Sequence, residues 1–450
     1  MADLNQQISE SEERVDRKFA WFHATSVNGT AVLISAVIAS YFSPYLVDSL
    51  KIPAASASMV MLIATLFDAI SNPFLGILAD RTNTRWGRYR PYFLIAPVLL
   101  TVFSSLIWLD FGWPEMQKTL FVLVAYICYC LTVTLYTTPQ MAILPACVKS
   151  PLERNRVIML GAGVTATMFT IGNTFTPQIT GFFQSLGFSN GYIPYMLICS
   201  ALSYISFWGL FAVSRERYLQ PISSGNPLSG IGKVLRHKEV VPNLLIWVLA
   251  SMGYGMMFST SVYYIQYYYA RPDLISVYMG VISIGALLSM LVIMRVFMRV
   301  FRNAYRALAI SQALSVALYL ILFFFGKSSF VFLCVLTFLS ACTSSMQNAL
   351  INVFVNDTID FVEYKDGISA NGVISSIRSF AQKCGNTVVT SGILAVLSLS
   401  GYIPGAVGAQ PESTMLALNL LKFGIPSIIG LMIILLVRFN PIRSFVEKRT

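Results

Sequence analysis

Charge is what this chain has least of. Asp, Glu, Lys and Arg make up 11% of its 450 residues, against 56% hydrophobic ones. A soluble globular chain carries about 25% charged residues. So little charge excludes an ordinary soluble domain, and with a mean hydropathy of +0.68 it leaves a polytopic membrane protein. Histidine is almost missing. With only His23 and His237 there is no HExxH pair and no histidine cluster for a metal. The seven cysteines lie mostly in apolar runs and form no CxxC pair, so neither a disulfide framework nor a zinc site is implied. No apolar signal-peptide core precedes Lys18. The net charge of +11 is spread over short loops rather than gathered on one domain, which argues against a nucleic-acid partner.

What remains is long apolar runs. A membrane-spanning helix needs about 20 apolar residues, and on that measure the chain divides into spans 20–47, 55–79, 92–112, 119–145, 157–185, 191–214, 240–270, 274–298, 305–326, 329–356, 368–400 and 413–438. The expected fold is an all-α membrane protein of twelve transmembrane helices in two six-helix pseudo-symmetric halves, the major facilitator plan. Its parts are an N-tail (1–18), a first half (19–214), a linker (215–239), a second half (240–438) and a C-tail (439–450).

Lys and Arg set the orientation. With both termini inside, the inner segments hold 24 of them and the outer loops only Lys51, Lys118, Arg271 and Lys327. That asymmetry places both termini in the cytoplasm. The chain is expected in a plasma (inner) membrane, as a monomer whose partners are the lipid bilayer and a small-molecule solute. The tyrosine run Tyr263–Tyr269 reads first as an interfacial belt, with sugar stacking as a second reading. Gly161 and Gly163 read as close helix contacts. His23, near the inner end of the first span, reads as polar packing or a proton carrier.

Asp68 is the acid that lies well within a span. An ionised carboxylate there costs at least about 2.5–3.5 kcal/mol, so it must face a bundle interior or a water-filled cavity. In the second half Arg378 and Lys383 fall within the eleventh span. Five residues apart on a helix, they diverge by about 140° and can border one wide cavity without pointing at one spot. Arg378 also reads as a residue snorkelling to the cytoplasmic face. Two inner segments have the character of a gate: a basic one with Asp80, Arg81, Arg85, Arg88 and, further on, Arg154, and an acidic one with Asp357, Asp360 and Glu363. They read equally as ordinary solvated loop charge.

The stretches DAISNPFLGILADRTNTRWGRYRP, DTIDFVEYKDG, FAQKCG and GYIP, in this order and spacing, resemble the glycoside–pentoside–hexuronide:cation symporter family over nearly the whole chain. The resemblance implies cation-driven uptake of sugars or their glycosides. It also implies a cation site of two acids one helical turn apart on the second span; here these positions are Asp68 and Asn72, with Ser71 beside them and Thr134 from the fourth span. The family's first-span acid has no counterpart, since Asn28 and Gly29 occupy that region. Its galactoside-binding acid and tryptophan fall on Thr137 and Met141, and its binding arginine falls near Ala162. The family lysine is kept as Lys383, while Arg378 is an added cation.

The chain is therefore expected to be no enzyme but a secondary transporter that imports a sugar-like or acidic glycoside or uronide, coupled to H⁺ or Na⁺ through Asp68 by alternating access. Substrate contacts are expected from Asn28, Thr137, Met141, Arg378 and Lys383. No cofactor beyond the coupling ion is expected. The alternatives are a cation-independent facilitator and a carrier of a lipid- or sterol-like amphiphile.

Overall fold

A hydrocarbon environment offers no water to backbone N–H and C=O groups, so each apolar run must satisfy them internally as a helix. The structure, a computed structural model, describes residues 15–218, 234, 236–301, 303–366 and 371–447. Its helices are α1 Arg17–Ser49, α2 Ala54–Arg81, α3 Arg90–Leu106, α4 Glu115–Cys147, α5 Pro151–Ser185, α6 Tyr192–Val213, α7 Lys238–Tyr268, α8 Pro272–Phe301, α9 Ala304–Phe325, α10 Phe330–Lys365, α11 Asn371–Leu399, α12 Glu412–Arg438 and a short α13, Pro441–Glu447. Ten of them are long and apolar enough to cross a membrane; α3 is apolar but shorter. Most of the 215–239 linker and the ends of both tails lie outside the described residues.

The helices gather into two compact units, Met1–Ile38 with Ile63–Ser223, and Ala39–Leu62 with Ser224–Thr450. In the first unit α3 packs on α4 and α6, and the start of α1 packs on α5 and α6. Asp16 opens α1 by accepting the Lys18 N–H, one of the donors that a helix start leaves orphaned. In the second unit α7 lies along α11 and α12, α9 along α12 and α10, and α8 along α10. Asn303 caps α9 by accepting from Tyr305 and Arg306 N–H. A buried polar chain, Asn440 to Asn243 to Thr358, ties the second residue after α12 to α7 and α10.

Residues 39–62, the end of α1 and the start of α2, pack with the second unit. Three polar contacts fix them there. Ser43 Oγ and Tyr263 Oη lie 2.9 Å apart, Ser58 Oγ donates to Ser391 O, and Tyr402 Oη donates to Asp48 Oδ1 at 2.6 Å.

Two expectations change at this level. The acidic segment 357–367 is helical as far as Asp366 rather than a loop. Val355, Ile359 and Val362 are buried at helical spacing, which carries the apolar face past the expected span end at 356. The tyrosine run is not an exposed belt either. Tyr263, Tyr264 and Tyr267 are fully buried, because α7 ends in a π turn, Tyr264–Tyr268, that re-aims side chains relative to an α-helix. The rings of Tyr263 and Tyr267 pack edge-on against Tyr402. Further π turns occur at Ser26–Ala31, Tyr45–Ser49, Ser289–Ile293 and Leu420–Gly424. Such turns concentrate at functional sites, and here they carry Asn28, Asp48 and Lys422.

Candidate functional site

The first unit holds the carboxylate site. Thr134 of α4 donates its hydroxyl hydrogen to Asp68 Oδ1 at 2.7 Å. Thr134 is only 2% exposed, and Asp68 is half-buried. A hydrogen bond to a charged acceptor contributes about 1.5–3 kcal/mol, comparable to the cost of placing the carboxylate in a span. Having spent its one hydrogen on Asp68, the Thr134 oxygen offers only lone pairs to any third group. Ser71 Oγ donates to the Asp68 backbone carbonyl at 3.0 Å, and Asn72 is half-buried on the same turn. The arrangement is a cluster of hard oxygen donors with one negative charge, suited to a proton or a small alkali cation.

Tyr126, Cys130, Thr134, Thr137 and Met141 recur on one face of α4 at three- and four-residue spacing. Exposure rises along that face. Tyr126, Cys130 and Thr134 are buried, Thr137 is half-buried and Met141 is 76% exposed. Thr137 returns its hydroxyl to Val133 O, the helix's own backbone, which leaves its oxygen able to accept. Tyr126 and Tyr129 are buried on α4, and Tyr129 Oη lies 3.1 Å from Ser35 Oγ of α1. Nothing in the sequence marks these tyrosines, which read as ordinary apolar-run aromatics.

Asn28 sits in the first π turn of α1, and its backbone carbonyl accepts from Thr165 of α5. Gly161 is a glycine for a plain reason. A Cβ there would stand 2.5 Å from Asn28 Nδ2, so the amide occupies the space a side chain would need. A Cβ at Gly163 meets nothing within 4 Å, so the close-contact expectation does not extend to it. His23 packs against α4: its Nε2 lies 3.3 Å from Gln140 O, and Gln140 Nε2 donates back to His23 O.

The arginine-rich loop proves to be built around an acid that the sequence did not single out. Glu216 accepts the backbone N–H groups of Arg88, Tyr89 and Arg90 at 2.7–2.9 Å, at the start of α3 where free donors and the helix dipole favour an anion. Gly87 adopts φ +116°, and a Cβ on it would lie 2.8 Å from Glu216 Oε1. The Arg90 guanidinium binds Phe211 O and Trp86 O, and Arg154 binds Val148 O and Pro145 O. Arg81 and Arg85 remain exposed, Arg85 lying over the Trp86 ring. The side chain of Asp80 lies outside the described residues. On α10, Asp357 is half-buried beside Tyr305, Glu363 is half-buried and Asp360 is exposed.

The second unit presents a polar helix face on α11. Ile374, Ile377, Ala381 and Val389 form its buried apolar stripe, and Ser375, Ser379, Gln382 and Asn386 are exposed on the other side. At about 100° per residue those four fall within a narrow arc whose two edges are Arg378 and Lys383. Both basic residues are half-buried. Arg378 Nε is buried without a hydrogen-bond partner among the described residues. A buried donor without a partner among the described residues can pair with water, an ion or a solute.

Comparison with known proteins agrees with this reading of the fold. A family model described as MFS/sugar transport protein matches residues 27–444. The chain is 26% identical over 404 residues to the isoprimeverose transporter of Lactiplantibacillus pentosus, covering 87% of this chain and 82% of that one. It is 28% identical over 402 residues to a putative sulfoquinovose importer of Salmonella typhimurium, covering 85% and 81%. Among solved structures, a bacterial homolog of the human lysosomal transporter Spinster, inward-facing and unoccupied, aligns with a TM-score of 0.69 at 12% identity, over 96% of this chain and 98% of that one. The twelve-helix major facilitator fold and the symporter resemblance both stand, and the protein is a multi-pass membrane transporter rather than an enzyme. The chain belongs to the MFS/sugar transport protein family.

Proposed function

We propose that the protein is a secondary transporter that takes an acidic sugar-like solute into the cell, driven by H⁺ or Na⁺ bound at Asp68. Both termini are placed in the cytoplasm by the Lys and Arg asymmetry of the loops. The coupling reading is supported by the Asp68–Thr134 bond, since a carboxylate held at span depth by a hydroxyl donor is suited to taking up a cation or a proton. Asn72 stands where the family resemblance has a second acid, so the site carries a single negative charge. That suits one cation per cycle.

The observation that carries the substrate class is Arg378. Its Nε is buried without a hydrogen-bond partner among the described residues, and it borders a face of hydroxyl and amide groups with Lys383 on the far edge. Hydroxyls and amides match sugar hydroxyls, and a guanidinium matches a carboxylate or sulfonate in paired geometry. A relative named a putative sulfoquinovose importer supports a sugar bearing a strong acid. Within the first unit, Asn28 and Thr137 offer amide and hydroxyl groups of the same kind and Met141 an exposed apolar side chain. Gating roles on the cytoplasmic side fall to the exposed Arg81 and Arg85 in the first unit and to the acids Asp357, Asp360 and Glu363 in the second, each within its own unit.

Competition in a whole-cell uptake assay tests the solute class. Glucuronides and sulfonated hexoses should inhibit uptake in wild type and inhibit it about tenfold or more weakly in Arg378→Gln, the loss expected when a charged hydrogen bond is removed. Equal inhibition by neutral glycosides, unchanged in the variant, would replace the acidic solute with a neutral one.

A further inference from the structure

Lys422 is an ionisable group enclosed in a span that no part of the transport mechanism above uses. It lies in the π turn Leu420–Gly424 of α12 and is only 4% exposed. Its Nζ donates to Met257 O at 2.9 Å and to Ser261 Oγ at 2.5 Å, both on α7, and stands 5.3 Å from the centroid of the Tyr278 ring on α8. Among the described residues it forms no ion pair.

The hydrogens can be assigned. Ser261 directs its single hydroxyl hydrogen to Met257 O at 2.6 Å, so towards Nζ it can only accept. Nζ therefore faces two acceptor oxygens and an aromatic face, and none of the three can donate to a nitrogen lone pair. An ammonium has three hydrogens and no lone pair, and the negative face of a tyrosine ring attracts it. A carbonyl oxygen, a hydroxyl oxygen and a π face are also what a bare monovalent cation would be offered. Met257 is the hub of this arrangement, because its Sδ also receives Ser344 Oγ and Ser345 Oγ from the α10 region at 3.5 and 3.9 Å.

We propose that Lys422 is a tethered cation: its ammonium fills a monovalent-cation site made by Met257 O, Ser261 Oγ and the Tyr278 ring, and so joins α7, α8 and α12 without an inorganic ion. The second unit then carries its own cation, while Asp68 in the first takes its cation up from solution. Truncating the side chain exposes the site to small ammonium ions.

The test is thermal unfolding of the purified full-length transporter in detergent, which reads stability and does not depend on the substrate or coupling assignments. Lys422→Ala should melt below wild type. Methylammonium chloride should restore it by a saturable shift of about 2–4 °C, the size expected for specific ligand binding to a unit of this size. Choline chloride at equal ionic strength, which has no N–H donor, and methanol at equal concentration, which has no charge, should leave it unchanged. Wild type and Lys422→Met should not respond to methylammonium. Stabilisation by all three additives, by none, or of wild type to the same extent overturns the proposal. Should Lys422→Ala not survive purification, a double-mutant cycle takes its place. Ser261→Ala should lower the melting temperature of wild type and leave that of Lys422→Met unchanged, and equal shifts in the two backgrounds would show that the two side chains do not act together.

Discussion

Thr134 gives its only hydroxyl hydrogen to Asp68 at 2.7 Å, so the most expensive side chain of the first unit is held by a group that can do nothing else for it. The bond fixes one carboxylate oxygen and makes Thr134 an acceptor towards anything bound beside it. Thr134→Val keeps the volume and removes the donor. It should weaken the coupling cation about 10- to 100-fold, the equivalent of about 1.5–3 kcal/mol, with little change in expression. Titration of uptake against Na⁺ and pH measures it, and unaltered cation affinity would show that Thr134 only packs.

Asn72→Asp places a second carboxylate one turn from Asp68, on the same face of α2. Two charges bind a cation more tightly than one, so the variant should reach half-maximal uptake at a lower Na⁺ concentration than wild type. A variant with the wild-type Na⁺ curve would show that this position does not face the site.

The Glu216 contacts at the start of α3 predict a stability effect. Glu216→Ala leaves the N–H groups of Arg88, Tyr89 and Arg90 without their acceptor, at a cost of about 1–3 kcal/mol. Gly87→Ala adds strain at φ +116° and a clash with the same carboxylate. Both variants should melt several degrees below wild type in detergent, while Arg81→Ala and Arg85→Ala, at exposed positions, should melt with it.

Tyr402→Phe removes the donor to Asp48 and loosens the loop that follows α11. Amide hydrogen exchange across residues 401–410 should rise in the variant and stay unchanged in α9. Unchanged exchange in the loop would mean that ring packing against Tyr263 and Tyr267 holds it alone.

How far these features could be read in the sequence depended on the background around each residue. Asp68 stood out because a carboxylate in an apolar run is rare, and the rule that exposed it needs no partner. Arg378 and Lys383 were legible for the same reason, but the polar face between them was not. Serine, glutamine and asparagine cost too little in a span to mark it until the helix register placed them together. Glu216 was invisible because an acid in a polar linker looks solvated, and its role comes from three backbone donors that only the fold brings to it. The tyrosines of α7 were misread because a π turn shifts the helical register, and no composition signal announces one. Lys422 falls inside the span 413–438, yet its partners are a backbone carbonyl and a hydroxyl, which leave no complementary charge to search for. The acids of α10 read as loop because charged residues interrupt the hydropathy, although Ile359 and Val362 continue the apolar face beneath them.

The central claim is that a cation bound at Asp68 drives uptake. The most direct measurement is accumulation of a radiolabelled acidic sugar in cells or proteoliposomes, with the Na⁺ and proton gradients imposed and collapsed separately, for wild type and Asp68→Asn. Wild type should accumulate solute against its gradient only while one of the two ion gradients is present. Asp68→Asn should equilibrate solute without concentrating it, whatever ion gradient is imposed. Accumulation by wild type that ignores both gradients, or undiminished concentrative uptake by Asp68→Asn, would contradict the account.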